Sequence, residues 1–373
     1  VTKIDVFIQL SHAQDAGQWR DKWEEGGLVG MNDPTPYGYA RAENMGCNVT
    51  FSKSAPENAV QKGLRLALRV MFGFDLMHAI HNRQAIMRSE IVWTHTESQF
   101  LGVAALLAFA ARTDRPRIIG QAIWLLDEWP RLGPFRRAIA KHLLREIDIL
   151  TVHSPENLAV ARSLFPDVRS ELVKFGIPTE YWETPVKKPV HPFRILCVGN
   201  DRHRDWKTVI SAVRDRPELD LTIISQTASA ALIAGVDNAR IRQVSSNEEL
   251  LQAYRDANVL VMPLRPNLHS SGITVIQEAA LMGVPVISSD VGGLKSYFDE
   301  TEIRYVPSQD ADAVSGAIDW MAANPEESLD QALRAQKRIM DGNLGCEAYI
   351  RRHVELSAEL IGMKESAGDR PPR

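Results

Sequence analysis

Cysteine is scarce in this sequence. Across 373 residues there are three, Cys47, Cys197 and Cys346, and no two have C-x-x-C spacing. That excludes a disulfide framework and a cysteine-based zinc site, and it points to a reducing compartment. A surplus of positive charge is also missing: 43 Lys and Arg stand against 47 Asp and Glu, for a formal net charge of −4. Nucleic-acid binders normally carry a basic surplus, so nucleic acid is not an expected partner. No apolar run is long enough for a membrane span. The run from Leu101 to Ala111 is about half of the roughly twenty residues needed and reads as a buried helix. Lys3 and Asp5 interrupt VTKIDVFIQL, which reads as a strand rather than a signal peptide. No G-x-G-x-x-G follows a first strand, which argues against a dinucleotide-dependent oxidoreductase. No cluster of carboxylates marks a metal site. The expected location is cytoplasmic.

What the chain has is alternation. Its length favours two domains over one core. IDVFIQL, EIVWTH, PRIIGQAI and DILTVHS read as strands of a first sheet. Helical spacing appears at 58–81, 100–111 and 134–147 between them. The pattern breaks at 175–192, where GIPTEYWETPVKKPVHP reads as a linker. It then restarts: FRILCVGN, a helix over 206–214, LDLTIIS, a helix over 226–234, ARIRQVS, a helix over 247–256, ANVLVMP, a helix over 272–282, and VPVISS. This order predicts an α/β fold of two doubly wound domains with parallel sheets. Ligands of such sheets bind beyond the carboxyl ends of the strands. A last helix is expected over 347–361, then a disordered tail, KESAGDRPPR.

The most informative segment is 258–298. A buried strand, NVLVMP, leads through 264–271 into a helix that starts at Gly272, with Ser270 and Ser271 placed to cap it. Free amides and the positive end of the dipole make such a helix start a phosphate site. Glu278 lies about two turns in, where a carboxylate can accept from vicinal hydroxyls. Spacing alone fits a surface Glu on an amphipathic helix equally well.

NLHSSGITVIQEAALMGVPVISSDVGGLKSYF resembles the signature of GT-B glycosyltransferases of family 4. That signature runs acid, seven residues, Glu, then Ala, small-Gly, Pro-Val and a later Gly-Gly. Glu278, Ala279, Gly283, Pro285, Val286, Gly292 and Gly293 match it. The resemblance implies that Glu278 binds the donor ribose. It places the donor phosphates at Ser271, Gly272 and Ile273, with Thr274 also on the donor side. Ser270 stands where the family has its first acid, which contacts the donor sugar. Serine can bond a hydroxyl without offering a full charge, so the sugar and the usual retaining stereochemistry stay open. FRILCVGNDRHRDWKTVISAV resembles the family's strand, turn and basic helix start. It implies close backbone approach at Gly199 and phosphate neutralisation by Arg204 and Lys207, with Arg202 as a rival. By itself HRDWK also reads as a helix start with solvated charges. ARIRQVSSNEELLQAYRDANVLVMP resembles the run before the signature and suggests Val244 against the nucleotide base.

The resemblance spans about 172–300 and covers the first domain by pattern only. It implies GT-B architecture, with two doubly wound Rossmann-like domains facing a cleft. The expected division is 1–180 for the acceptor, 190–345 for the nucleotide sugar, and 346–373 as a C-terminal helix and tail. The implied activity moves a hexosyl or glycuronosyl group from a nucleotide-diphosphate sugar to a saccharide or lipid-linked acceptor, in polysaccharide or glycolipid assembly. No cofactor beyond the donor substrate and no metal are expected, because the helix start, Arg204 and Lys207 can meet the diphosphate charge. A GT-B sugar-nucleotide epimerase and a non-catalytic GT-B-like binding protein stay open; Ser270 sustains the latter. Arg265 and His269 would suit an anionic sugar.

On the acceptor side, candidates follow strands. His95 and Glu97 end VWTHTESQ and are the first choice for catalysis, with Asp127 of AIWLLDEW second. His12 and Asp15 follow the first strand. Asp33, Tyr37 and Tyr39 in NDPTPYGY are placed to line an acceptor pocket. Each also fits a structural role. QKGLRLALRVMFGF and WPRLGPFRRAIAKHLLR mix basic and bulky apolar residues. They suit either a solvated helix face or an anionic membrane surface, here the inner face of the membrane.

Overall fold

The computed structural model describes residues 3–111, 115–186, 188 and 191–368, with backbone alone at Asn343 and 363–368. It forms two compact units. The first comprises the chain up to Asp21, Pro34–Val173 and the chain from Tyr349 on; the second comprises Lys22–Asp33 and Lys174–Ala348.

The first unit is built on β1 (Ile4–Gln9), β2 (Cys47–Phe51), β3 (Ile91–Thr94), β4 (Arg117–Gln121), β5 (Ile149–Val152) and β6 (Ser170–Leu172). Their order is β2-β1-β3-β4-β5-β6, and all pairs are parallel. IVWT and ILTV are buried at every position, as central strands of a parallel sheet must be when helices cover both faces. The chain passes from β1 to β2 on one side and returns to β3 on the other. The carboxyl ends of β1 and β3 therefore flank the switch point, and His95 directly follows β3.

The second unit holds β7 (Phe193–Val198), β8 (Leu219–Ile224), β9 (Ala239–Arg242), β10 (Val259–Met262), β11 (Val286–Ser289) and β12 (Arg304–Val306). Their order is β12-β11-β10-β7-β8-β9, again all parallel. One face packs Leu260, Ile276, Tyr297 and Phe298; the other packs Ile195, Val209, Ile223 and Ile318. The switch point lies between β7 and β10. The loops that follow these two strands, 199–205 and 263–272, meet there through a bridge between Arg204 and Leu264.

Several expectations change. The pattern over 58–81 forms two helices, Ala59–Phe72 and Leu76–His81, because Gly73 adopts φ 90° and closes the first. The helix expected over 226–234 is a single 3-10 turn, Ala230–Ile233. β2, β6 and β12 are additional: they are short edge strands, and β2 alternates in burial. The last helix runs Cys346–Gly368, so 364–368 continue it where a disordered tail was expected; 369–373 lie outside the described residues. The contiguous division at 180 and 346 is also replaced. Lys22–Asp33 joins the second unit through backbone bonds such as Asn247 N to Gly26 O, 3.2 Å. The chain from Tyr349 joins the first, where Trp93 Nε1 donates to Ser357 Oγ at 2.9 Å.

Candidate functional site

In the second unit a cavity of about 330 Å³ opens at the carboxyl ends of β7, β8 and β9. It is lined by Gly199 and Asn200 after β7, by Ser225 after β8, and by Gln243 and Val244 after β9. Thr274, Val275 and Glu278 of the helix Ile273–Leu281 complete it, with Gly30 from the 22–33 segment. Val244 is thus at the cavity, as expected. The helix start is there too, in altered form.

The N-cap of that helix is Gly272 at φ 87°, with no side-chain cap, where Ser270 and Ser271 were expected to cap it. Ser270 is buried in a left-handed conformation, φ 54°, and its hydroxyl donates to Gly292 O at 2.8 Å. It fixes the loop and is not among the residues that line the cavity. Ser271 is buried as well; its Oγ accepts from Arg204 Nη1 at 2.9 Å. Ile273 lies in the core, and its amide already donates to Ser270 O at 3.1 Å. The first-turn residues that line the cavity are therefore Thr274 and Val275, and an anion there would meet uncapped backbone at the positive end of the dipole.

Arg204 is buried, which Lys207, exposed on the first turn of the helix Trp206–Val213, is not. Arg204 Nε donates to Val198 O at 3.1 Å. Desolvation lowers its pKa to about 10, so it remains a cation at neutral pH. A Cβ on Gly199 would collide with this guanidinium, and one on Gly272 would lie 3.3 Å from Nη1. Gly199 thus admits an arginine of the protein itself, and Gly272 chiefly Met262, whose Sδ would lie 2.8 Å from a Cβ there. Arg202 is exposed.

Glu278 is 4% exposed, so it is not the surface residue that spacing also allowed. Oε1 accepts from Met31 N at 3.0 Å and Oε2 from Tyr254 Oη at 2.8 Å. Burial raises its pKa, while these two bonds lower it. Beside the cavity-lining Gly199 and Asn200, ligand atoms of Asp201, His203 and His269 lie within 4.8 Å of one another and could hold a metal ion. His203 Nδ1 is 3.0 Å and His269 Nε2 3.5 Å from Asp201. The sequence showed no such cluster, because two of its members lie one residue apart and the third is on a different loop.

In the first unit the switch-point residue is His95. The Tyr37 ring stacks on its imidazole at 3.4 Å between centroids and 15° between planes. Tyr37 has φ 54° and ψ 19°, a conformation rare for an aromatic residue, whose strain is typical of functional sites. Tyr39 Oη lies 3.1 Å from His95 Nδ1 and 2.8 Å from Tyr349 Oη. Gln121 Nε2 donates to His95 O at 2.9 Å, and Tyr349 Oη donates to Gln121 Oε1 at 2.5 Å. Desolvation first, then the neighbouring His153 and His353, hold the His95 pKa well below its ordinary value. The imidazole is therefore neutral near pH 7, the form that can take a proton.

The other first-domain candidates fare differently. Tyr39 is fully buried, so it positions His95 and cannot line a pocket. Glu97 Oε2 accepts from the amides of Ile123 and Trp124 at 3.1 and 3.3 Å and holds the loop after β4. Asp127 lies half-buried in the short helix Leu125–Glu128. Asp33 is buried and belongs to the second unit, whereas Tyr37 belongs to the first. His12 lies 3.6 Å from Glu57, and Asp15 accepts from Ser54 N at 2.8 Å. Sequence reasoning missed Met31, Tyr254, Gln121 and Tyr349. All four act through contacts far along the chain, and Tyr254 reads as an ordinary apolar position of its helix.

Gly199→Ala should destabilise the second unit by about 1–3 kcal/mol, from a side chain at φ 139° and a displaced Arg204. Gly316→Ala is the control: an added Cβ there meets nothing within 4 Å, so stability should hold or rise by roughly 0.5–1 kcal/mol. Urea denaturation of both variants checks this. Equal stability of the two would contradict the steric account.

Residues 192–324 match the family Glycosyl transferases group 1. No curated protein sequence matches the chain. Among solved structures, the sucrose-phosphate synthase of Thermosynechococcus elongatus is similar, with TM-score 0.74, 18% identity, and coverage of 96% of this chain and 100% of that one. Anabaena HepE in complex with UDP-glucose gives TM-score 0.66 at 10% identity, covering 95% and 99%. A glycosyltransferase of Rickettsia africae gives 0.61 at 11% identity, covering 97% and 99%. Residues 192–324, which supply most of the cavity's lining, thus match glycosyl transferases group 1, and the chain shares the GT-B fold of these glycosyltransferases.

Proposed function

We propose that the second unit binds a nucleotide-diphosphate sugar in its cavity and that the first unit binds a saccharide or lipid-linked acceptor beside His95. The transferred group is a hexosyl or glycuronosyl residue, and the product belongs to polysaccharide or glycolipid assembly. The observation that carries the donor half is the pairing, in one cavity, of an uncapped helix start with the buried carboxylate of Glu278. The first suits a diphosphate and the second a ribose diol. HepE has been solved with UDP and with UDP-glucose, which makes uridine nucleotides the first probes. On this reading the helix start, Arg204 and Lys207 balance the diphosphate charge without a metal ion.

A thermal-shift series with UDP-, GDP- and ADP-sugars should show stabilisation by one of them. Glu278→Gln keeps the shape and loses the charge, so affinity for that donor should fall roughly 10–100-fold, the worth of a charged hydrogen bond. No shift with any donor would sink the reading. Loss of transfer in a chelator would overturn the metal-free part and point to Asp201, His203 and His269.

His95 is the proposed base or acceptor-orienting group, ahead of Glu97 and Asp127. His95→Ala should lower kcat by roughly 10²–10⁴-fold with donor binding intact. Because burial keeps its pKa low, activity should hold as pH falls through 6.5 and be lost only once pH drops below the depressed value. Wild-type kcat in His95→Ala would refute the assignment.

A peripheral membrane setting has one specific observation behind it. The helix Ala59–Phe72 buries a single residue, Arg65, which pairs with Glu57 and Asp75. Val60, Leu64, Leu66, Val70 and Met71 are exposed on it, with Phe135 exposed on the basic helix Pro134–Leu144. Arg136 bonds the carbonyls of Val70 and Met71. Apolar residues interspersed with Lys62 and Arg69 suit an anionic lipid surface at the inner membrane face. Among the described residues no helix is long and apolar enough to cross a membrane. The chain should float with phosphatidylglycerol vesicles at low salt. Replacing Lys62 and Arg69 with Gln should cut binding by roughly 30-fold, at about 1 kcal/mol for each cation removed. A chain that stays at the bottom of the gradient with every vesicle would exclude the membrane.

A further inference from the structure

Glu278 reaches its cavity held from two sides. It is a buried carboxylate that lines the cavity with Leu250 and Val275, and burial favours its neutral form unless donors face it. Each oxygen has one donor: Tyr254 Oη on Oε2 and the Met31 amide on Oε1. An ionised carboxylate accepts at about four lone-pair sites. Two are taken, and the rest serve the cavity that Glu278 lines.

We propose that Tyr254 is a positioning residue for donor recognition, whose hydroxyl, paired with the Met31 amide, locks the Glu278 carboxylate in the orientation that presents its remaining lone pairs to the vicinal hydroxyls of a nucleoside diphosphate. The proposal rests on the donor site described above and adds the device that aims it.

Three observations support it. Tyr254 is fully buried, and burial together with Glu278 raises its pKa well above the ordinary value, so the phenol stays a donor throughout the working pH range. Packing alone would be met by phenylalanine; the hydroxyl is used on Glu278. The second clamp is built from the same helix, Asn247–Asp256. At its start, Asn247 Oδ1 accepts from Gly30 N at 3.1 Å and Asn247 N donates to Gly26 O at 3.2 Å, which holds the 22–33 segment in place. Two turns later the helix carries Tyr254. One helix thus registers both donors against one carboxylate. Gly30, at φ 109°, closes the account: a Cβ there would lie 2.8 Å from Glu278 Oε1, so a glycine is needed for the Met31 amide to reach it.

The test compares calorimetric titrations of UDP and of 2′,3′-dideoxy-UDP, which lacks the diol, with wild type and Tyr254→Phe. The matching guanosine or adenosine pair is used if that base is the one bound. Wild type should bind the ribonucleotide tighter. Tyr254→Phe should lose about tenfold in affinity for the ribonucleotide and change less than about twofold for the dideoxy compound, so that the diol preference collapses. Gly30→Ala attacks the other clamp and should give the same selective loss, which keeps the test open if Tyr254→Phe does not fold. Equal loss for both nucleotides would mark Tyr254 as a packing residue and overturn the proposal, as would no loss at all while Glu278→Gln still abolishes the preference. A wild-type protein that binds none of the nucleotides would instead defeat the donor reading, and this proposal with it.

Discussion

A guanidinium buried at the β7/β10 switch point organises the second unit. Arg204 spans the two loops that any ligand of this sheet must meet: its Nε holds Val198 O at the end of β7, and its Nη1 holds Ser271 Oγ before the helix Ile273–Leu281. A buried cation is costly unless its donors are used, so both loops are fixed by the need to satisfy it. Gly199 is a glycine because the guanidinium occupies the space its side chain would take, while a side chain on Gly272 would first meet Met262 and then the guanidinium. Ser270 is then driven into a left-handed turn and bonds Gly292 O. What remains open is the helix start at Thr274 and Val275, with Arg204 behind it as a fixed charge.

The opposite charge is handled by different means. Glu278 has no salt-bridge partner among the described residues; an amide and a phenol hold it instead. A cationic partner would neutralise the carboxylate and use up its lone pairs, whereas neutral donors leave it an acceptor. The amide comes from residue 31, nearly 250 positions away in sequence, and the unit is incomplete without the 22–33 segment. Two oppositely charged side chains thus do separate work: one builds the loops, the other faces the cavity.

In the first unit, polar groups surround a histidine kept neutral. Tyr37 covers the ring, and Tyr39, Tyr349 and Gln121 form a linked set of hydrogen bonds around it. Tyr349 comes from the C-terminal helix, so the end of the chain helps set the tautomer and orientation of a residue that follows the third strand. The strained Tyr37 backbone is sustained by that packing.

By itself the sequence determined the α/β alternation, the parallel strands and the helix start after β10, and it singled out Glu278 and His95 as candidates. These are local properties: continuous apolar runs, periodicity, glycine placement and a short signature. Only the tertiary structure decided what those residues touch. Of the expected donor residues it left Thr274 at the cavity, joined by Val275, and withdrew Ser270 and Ser271 from it, because one tight turn and one buried guanidinium claimed the serines. It made Tyr39 and Glu97 supports where lining and catalytic roles were expected. It also brought Met31, Tyr254 and Tyr349 to the sites across long stretches of chain. A hydrogen bond between distant residues leaves no period and no spacing in one sequence, so periodicity could find the helix that carries Glu278 and could not find the hydroxyl and amide that hold it.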